Sequence, residues 1–142
     1  MTTSTEKNVQ LLRTAFRTLE TGDLDAAVAM LADDFVAYLP GSNEPRRGPD
    51  IWRAGAQAML TGFPDLTVEI QDIFGADDKV TVLLQFHGTH LGTFQDLEPT
   101  GRKVTYRSLE LYRIENGKVA AEWVAPDVIS LMQQLTDDGR SA

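Results

Sequence analysis

Residues 110–127, ELYRIENGKVAAEWVAPD, carry Glu110 and Glu122 where strands that pack on a core should be apolar. The alternating residues on either side of Asn116-Gly117 predict two strands folded about a tight turn. Two carboxyl groups facing each other in an apolar pocket cannot both ionise without cost. Desolvation and mutual repulsion raise at least one pKa, which leaves a protonated acid beside a carboxylate base. Such a pair suits the movement of a proton at carbon. Glu122 is accordingly expected as acid or base, Glu110 as its partner, and Asp127 near the pocket mouth. The plainer alternative is that one or both glutamates reach solvent or pair with Arg107 or Arg113.

The hairpin register decides between these readings. A two-residue Asn116-Gly117 loop puts Ile114 opposite Val119 and Glu110 opposite Trp123, with Glu122 on the other face. A three-residue loop of Glu115, Asn116 and Gly117, the glycine left-handed as a bulge, pairs Ile114 with Lys118 and sets Glu110 directly opposite Glu122. The residues permit both.

Other chemistries find less support. The chain has no cysteine, which excludes thiol nucleophiles and Cys-ligated zinc. Its two histidines, His87 and His90 in FHGTHLG, lack a third ligand, so no metal is expected. His90 is expected to hydrogen-bond the loop that follows, and His87 to point into a pocket or end its strand. A net charge of −8 with no basic stripe argues against nucleic acid. GTHLGT has neither GxGxxG nor a Lys-Ser/Thr ending, so it is no phosphate loop. The start has no basic n-region, and no apolar run of about 18 residues occurs, so a cytoplasmic protein with no membrane contact is expected.

The elements that must position these groups read as helices first and strands later. Thr3 or Ser4 caps a helix, with Glu6 completing a capping box, that carries Val9, Leu12, Phe16 and Leu19 and stops at Gly22. Asp23 caps a short second helix bearing Leu24, Ala27, Met30 and Leu31, with Asp33 and Asp34 at a helix end. FVAYLP is a first strand. Arg46 and Arg47 lie in the polar loop GSNEPRRGPD, and Pro49 or Asp50 starts a third helix with Trp52, Ala56, Met59, Leu60 and Phe63 on one face. LTVEIQDIF and VTVLLQFHG form a strand pair about the GADDK turn. The connection HLGTFQDLEPTG leads to the hairpin, and VISLMQQL is a last amphipathic segment. At 142 residues this is one domain with its core at about residues 5–136. The fold class is α+β, a curved antiparallel sheet covered on one face by about three helices.

FPDLTVEIQDI, GTHLGTFQDLEPTGRKV and LYRIENGKVAAEWVAPDVISLMQQL, in that order, resemble the signature blocks of the SnoaL-like polyketide cyclase family, within the nuclear transport factor 2-like fold. The resemblance runs from about Leu24 to Leu135. It implies a cone-shaped barrel, a homodimer through the outer sheet face, and a buried hydrophobic pocket for a small apolar polycyclic substrate. It also implies an enzyme of aromatic polyketide and antibiotic biosynthesis that closes a ring by an aldol reaction without a cofactor. Some relatives are proposed to hydroxylate such substrates, and a non-catalytic binding protein is the other class in play.

Compared position by position, the cyclase's acid–base Asp on the last strand falls on Val124, and two pocket histidines fall on Glu110 and Glu122. Asp127, Gly88, His90 and Gly92 are retained. The family's cyclase pattern is thus rewritten in carboxylates. The resemblance favours the three-residue loop, which turns Ser108, Glu110, Ala120, Glu122 and Val124 inward. Leu109, Leu111, Ala121 and Trp123 then face outward, as an apolar row for a dimer to cover. Trp52, Met59, Phe35, Tyr106, Ser108, His87, His90 and Val124 are expected to bind substrate. The steroid isomerase type is disfavoured by Tyr38 at its base position, and the epoxide hydrolase type by Val124.

Overall fold

The computed structural model describes residues 3–137. Four helices and six strands follow in the order α1 (Ser4–Thr21), α2 (Leu24–Val28), β1 (Leu31–Tyr38), β2 (Arg46–Arg47), α3 (Pro49–Gly62), β3 (Thr67–Ala76), β4 (Lys79–Thr89), β5 (Lys103–Glu115), β6 (Lys118–Pro126) and α4 (Val128–Thr136). The ends of the expected domain, residues 1–2 and 138–142, lie outside the described residues.

Local chemistry sets the helix ends. Thr3 Oγ1 accepts from the Glu6 amide at 3.0 Å, and the Glu6 carboxylate accepts from the Thr3 amide, so both capping-box bonds are made. Asp23 accepts from the Ala26 amide, and Pro49 opens α3 behind Gly48. Two expectations shift here. The second helix stops at Val28, and β1 begins at Leu31 rather than Phe35, so Asp33 and Asp34 lie exposed in a strand instead of at a helix end. Val119 N donates to Met30 O at 2.9 Å, and that bond pins this corner to β6 and starts the strand early. Arg46 and Arg47 belong to β2, paired antiparallel with Ala37 and Val36, rather than to a loop.

All strands join one curved sheet in the order β2-β1-β6-β5-β4-β3. β3 to β6 are antiparallel neighbours, but β1 runs parallel to β6, which makes the sheet mixed rather than wholly antiparallel. Val80, Val82, Leu84 and Phe86 of β4 and Val104, Tyr106, Tyr112 and Ile114 of β5 alternate onto the inner face, where Leu12, Phe16 and Leu19 of α1 and Leu131 and Leu135 of α4 meet them. Extra residues at Gln71 in β3 and Ala120 in β6 break the ladders and bend the sheet around the helices.

The loop between β4 and β5 locks onto the end of α3. Leu91 N and Gly92 N both donate to Gly62 O, and a Cβ on Gly92 would sit 1.9 Å from Thr61 O. Only glycine permits that approach. The glycines of GTHLG are therefore packing devices.

Candidate active site

The β5–β6 turn is a two-residue loop, with Asn116 at φ 52° and Gly117 at φ 75°, and Glu115 pairs with Lys118 and Ile114 with Val119. The three-residue register expected from the resemblance is not the one formed. With this turn alone, Glu122 would face away from Glu110. Ala120, however, has no partner: the ladder passes from Ile114↔Val119 to Arg113↔Ala121, and this bulge restores the inward phase. Tyr112 stands opposite Glu122 and Glu110 opposite Val124, so the two glutamates share one face as diagonal neighbours rather than as a direct pair. Diagonal neighbours lie about 7–8 Å apart along such a ladder. The run Val119, Ala120, Ala121 and Glu122 is buried without alternation, as a bulge between small residues allows.

Glu110 is 7% exposed and Glu122 5%. Their surroundings differ. Ser108 Oγ donates to Glu110 Oε2 at 2.6 Å, and the Tyr112 hydroxyl donates to Glu110 Oε1. Glu122 accepts no hydrogen bond among the described residues. Burial raises the Glu110 pKa, and the two hydroxyl bonds oppose that rise. Burial, then repulsion from Glu110, pushes Glu122 up to about 8. At neutral pH Glu122 keeps its proton, and Glu110 is the better placed to carry the charge.

Both carboxyls line a cavity of about 840 Å³ between the inner sheet face and all four helices. That volume is within the range of about 300–1,000 Å³ usual for small-molecule sites. Leu12 and Phe16 of α1, Ala27 of α2, Trp52 and Met59 of α3, Leu131 and Met132 of α4, Phe86 of β4 and Tyr106 and Tyr112 of β5 form its walls, with Phe94 and Gln95 from the β4–β5 loop. Phe86 stacks on Tyr106 at 5.2 Å, and Phe16 meets Tyr112 edge-on at 6.0 Å.

Among the residues singled out from the sequence, Glu110, Glu122, Trp52, Met59, Tyr106 and Val124 line this cavity. Five do not. Ser108 is buried behind Glu110 and reaches the cavity only through it. Phe35 is wholly enclosed in the core. His87 points to the outer side, its ring nitrogens at 3.0 Å from Thr105 Oγ1 and 3.3 Å from Glu69 Oε1, because β4 alternates and its neighbour Phe86 takes the inward place. His90 is 0% exposed and holds the following loop: the Thr100 amide donates to its Nδ1, and Nε2 finds no partner beside the Phe63 ring, 5.7 Å away. Asp127 caps α4 by accepting from the Ser130 amide at 3.0 Å, although its neighbours Pro126 and Val128 are at the cavity wall. Tyr112 was not singled out from the sequence. Its place two residues after Glu110 on the same strand was the signal, since residues i and i+2 share a face.

Among the described residues, no three of His, Cys, Asp and Glu converge as a metal-binding group, and no helix is long and apolar enough to cross a membrane.

The family model of SnoaL-like polyketide cyclases matches residues 9–135. Aklanonic acid methyl ester cyclase DauD of Streptomyces sp. (strain C5) is 24% identical over 133 residues, which cover 89% of this chain and 80% of DauD. AclR of Streptomyces galilaeus, a hydroxylase candidate, superposes with a TM-score of 0.87 at 24% identity, over 98% of this chain and 87% of AclR. IdmH of Streptomyces antibioticus, a polyketide cyclase candidate, superposes with a TM-score of 0.80 at 27% identity, over 90% of this chain and 97% of IdmH.

Proposed function

From its membership of the SnoaL-like polyketide cyclase family, we propose that this chain is an enzyme of polyketide biosynthesis that performs acid–base chemistry on an apolar polycyclic carbonyl compound, with aldol ring closure as the reaction. The observation that carries the reading is the unequal carboxyl pair, Glu110 hydrogen-bonded twice and Glu122 not at all, inside an apolar cavity of about 840 Å³. DauD, a cyclase acting on a methyl ester, supports it.

In the proposed reaction the substrate carbonyl oxygen accepts the Glu122 proton while Glu110 removes a proton from the adjacent carbon. The resulting enol attacks a second carbonyl and forms the carbon–carbon bond. Its O–H proton returns to Glu122, and the new alkoxide takes the proton held by Glu110. Both carboxyls end as they began. A general acid with a pKa of about 8 is matched to neutral pH, where it is still protonated yet can release its proton. Ser108 and Tyr112 fix the Glu110 carboxylate in one orientation, so the base does not have to reorganise during the step.

One observation favours a second reading, a binding protein without catalysis. Val124, opposite Glu110, is apolar where the cyclase pattern has its acid–base Asp. Incubation of tricyclic and tetracyclic polyketide methyl esters with the protein in deuterated water separates the two. Deuterium at the carbon next to the carbonyl, with or without a cyclised isomer, supports acid–base chemistry. Ligand binding with neither exchange nor isomer overturns it, and a gain of one oxygen would make the chain a hydroxylase.

The proposal includes a homodimer through the outer sheet face, where Leu109 is 56% exposed and Tyr38 stacks on Trp123 at 4.8 Å. Sedimentation at the dimer mass supports this, and a monomer at micromolar concentration overturns it.

A further inference from the structure

The cavity holds two carboxyl groups and, among the described residues, no cationic side chain. Among the described residues no Lys, Arg or His lines it, and its ionisable groups are Glu110, Glu122, Tyr106 and Tyr112. Arg46, Arg47 and Arg107 are all exposed outside it. A buried carboxyl ordinarily meets a cation or several hydrogen-bond donors, since desolvation otherwise disfavours its charged form. Glu110 has its donors on β5. Glu122, 5% exposed, is enclosed on the protein side and opens only onto the cavity, without a hydrogen bond among the described residues. A ligand in the cavity is therefore well placed to be its partner. The rings of Phe16, Trp52, Phe86, Tyr106 and Tyr112 surround the same space, and aromatic faces attract a desolvated cation as well as apolar rings.

We propose that the inner end of the cavity is an ammonium site, which takes an apolar, ring-bearing ligand through a protonated amine seated between Glu110 and Glu122 and turns away ligands bearing a free carboxylate. The inference goes beyond the proposed function: a ligand held in this way is bound and not turned over, since the proton that the proposed reaction takes from Glu122 is gone. The balance of charge is simple. The amine arrives protonated, its positive charge offsets the repulsion between the two acids, and Glu122 gives its proton to solvent. A carboxylate in the same place would be a second or third negative charge with no counter-ion, which a desolvated site resists.

Three anthracenes of closely similar shape test this: 9-(aminomethyl)anthracene, 9-(hydroxymethyl)anthracene and 9-anthracenecarboxylate. Their binding is followed by fluorescence at pH 7 and by calorimetry in two buffers of different ionisation enthalpy. The amine is expected to bind about tenfold or more tightly than the alcohol, about 1.4 kcal/mol, and the carboxylate more weakly than both. Binding of the amine should release protons, and binding of the alcohol should not. In the double variant Glu110→Gln/Glu122→Gln the amine and the alcohol should bind within about threefold of each other, while retained alcohol binding reports an intact cavity. The inference is overturned if wild-type protein binds amine and alcohol alike, binds the carboxylate best, or binds none of them. It is equally overturned if the amine preference survives the double substitution. The proton release is read on the wild-type protein and decides the matter even if the variant does not fold. Selective amine binding without deuterium exchange leaves this inference standing and removes the catalytic reading; exchange without amine selectivity does the reverse.

Discussion

The two strands of the β5–β6 hairpin offer the same side chain to the same cavity and treat it differently. On β5, Glu110 lies between Ser108 and Tyr112, and the regular alternation aims both hydroxyls at its carboxyl oxygens. On β6, Glu122 arrives on the inner face only because Ala120 is unpaired, and its neighbours on that face are Val119 and Val124, which cannot donate a hydrogen bond from their side chains. Burial is nearly equal, at 7% and 5% exposed, so desolvation does not distinguish the two. Hydrogen bonding does. A carboxyl with two donors holds charge at a depth where one without donors holds a proton. A catalytic pair can thus be made unequal without changing residue type.

The most severe way to break this comparison is to insert one alanine between Ala121 and Glu122. With Arg113 still opposite Ala121, Glu122 then stands opposite Leu111 instead of Tyr112, so it and every later side chain of β6 exchange faces. The expected loss is more than about 4 kcal/mol, read from denaturant unfolding. A variant as stable as the parent with Glu122 still buried would refute the role given to the register. Next in size, Glu110→Gln should lower the rate of deuterium exchange by about 10²- to 10⁴-fold with the fold retained, as removal of a general base does. A loss of less than tenfold would take Glu110 out of the chemistry.

Stability against pH sharpens the contrast on the β6 side. The folded protein raises the Glu122 pKa from 4.5 to about 8, so the folded state binds this proton more tightly than the unfolded chain. The stability contributed is therefore complete below about pH 4.5 and declines as pH rises towards 8, by at most about 1.4 kcal/mol per pH unit for one proton. Glu122→Gln should flatten unfolding free energy across that window. An unchanged slope in the variant would assign the titration to another group. The smallest effect is expected from Tyr112→Phe, which removes one of the two donors to Glu110. It should cost about 1–3 kcal/mol and move the acidic limb of the pH–rate profile upward as the Glu110 pKa rises. An unmoved limb would leave Tyr112 with a packing role against Phe16 alone.

Much of the fold was legible before any coordinates. Thr3 with Glu6, Asp23 and Pro49 mark helix starts by bonds made within one turn, and Asn116-Gly117 marks a hairpin because both residues tolerate positive φ. The inner positions of β4 follow from simple alternation. What misled was alternation where it fails. Counting across the hairpin forced a choice between two turns, each wrong in one respect: the two-residue turn is formed, yet the glutamates share a face. His87 is expected to point into the pocket or end its strand, whereas the parity of that strand, with Phe86 inward, places it outside. Asp33 and Asp34 followed a helical pattern that the backbone bond between Val119 and Met30 interrupts.

The sequence by itself determined the helix caps, the place of the hairpin, the family, and the presence of two acids in a hairpin that should be apolar, because each is written in residues close together along the chain. Only the tertiary structure decided which face Glu122 occupies, which residues give Glu110 its hydrogen bonds, and that none of the described cationic side chains lines the cavity. A bulge is a relation between two strands: small side chains at Ala120 and Ala121 permit one, but the pairing of β6 with β5 on one edge and β1 on the other fixes where it falls. The protonation of the pair depends in turn on that placement, since burial and repulsion act through space and not along the chain.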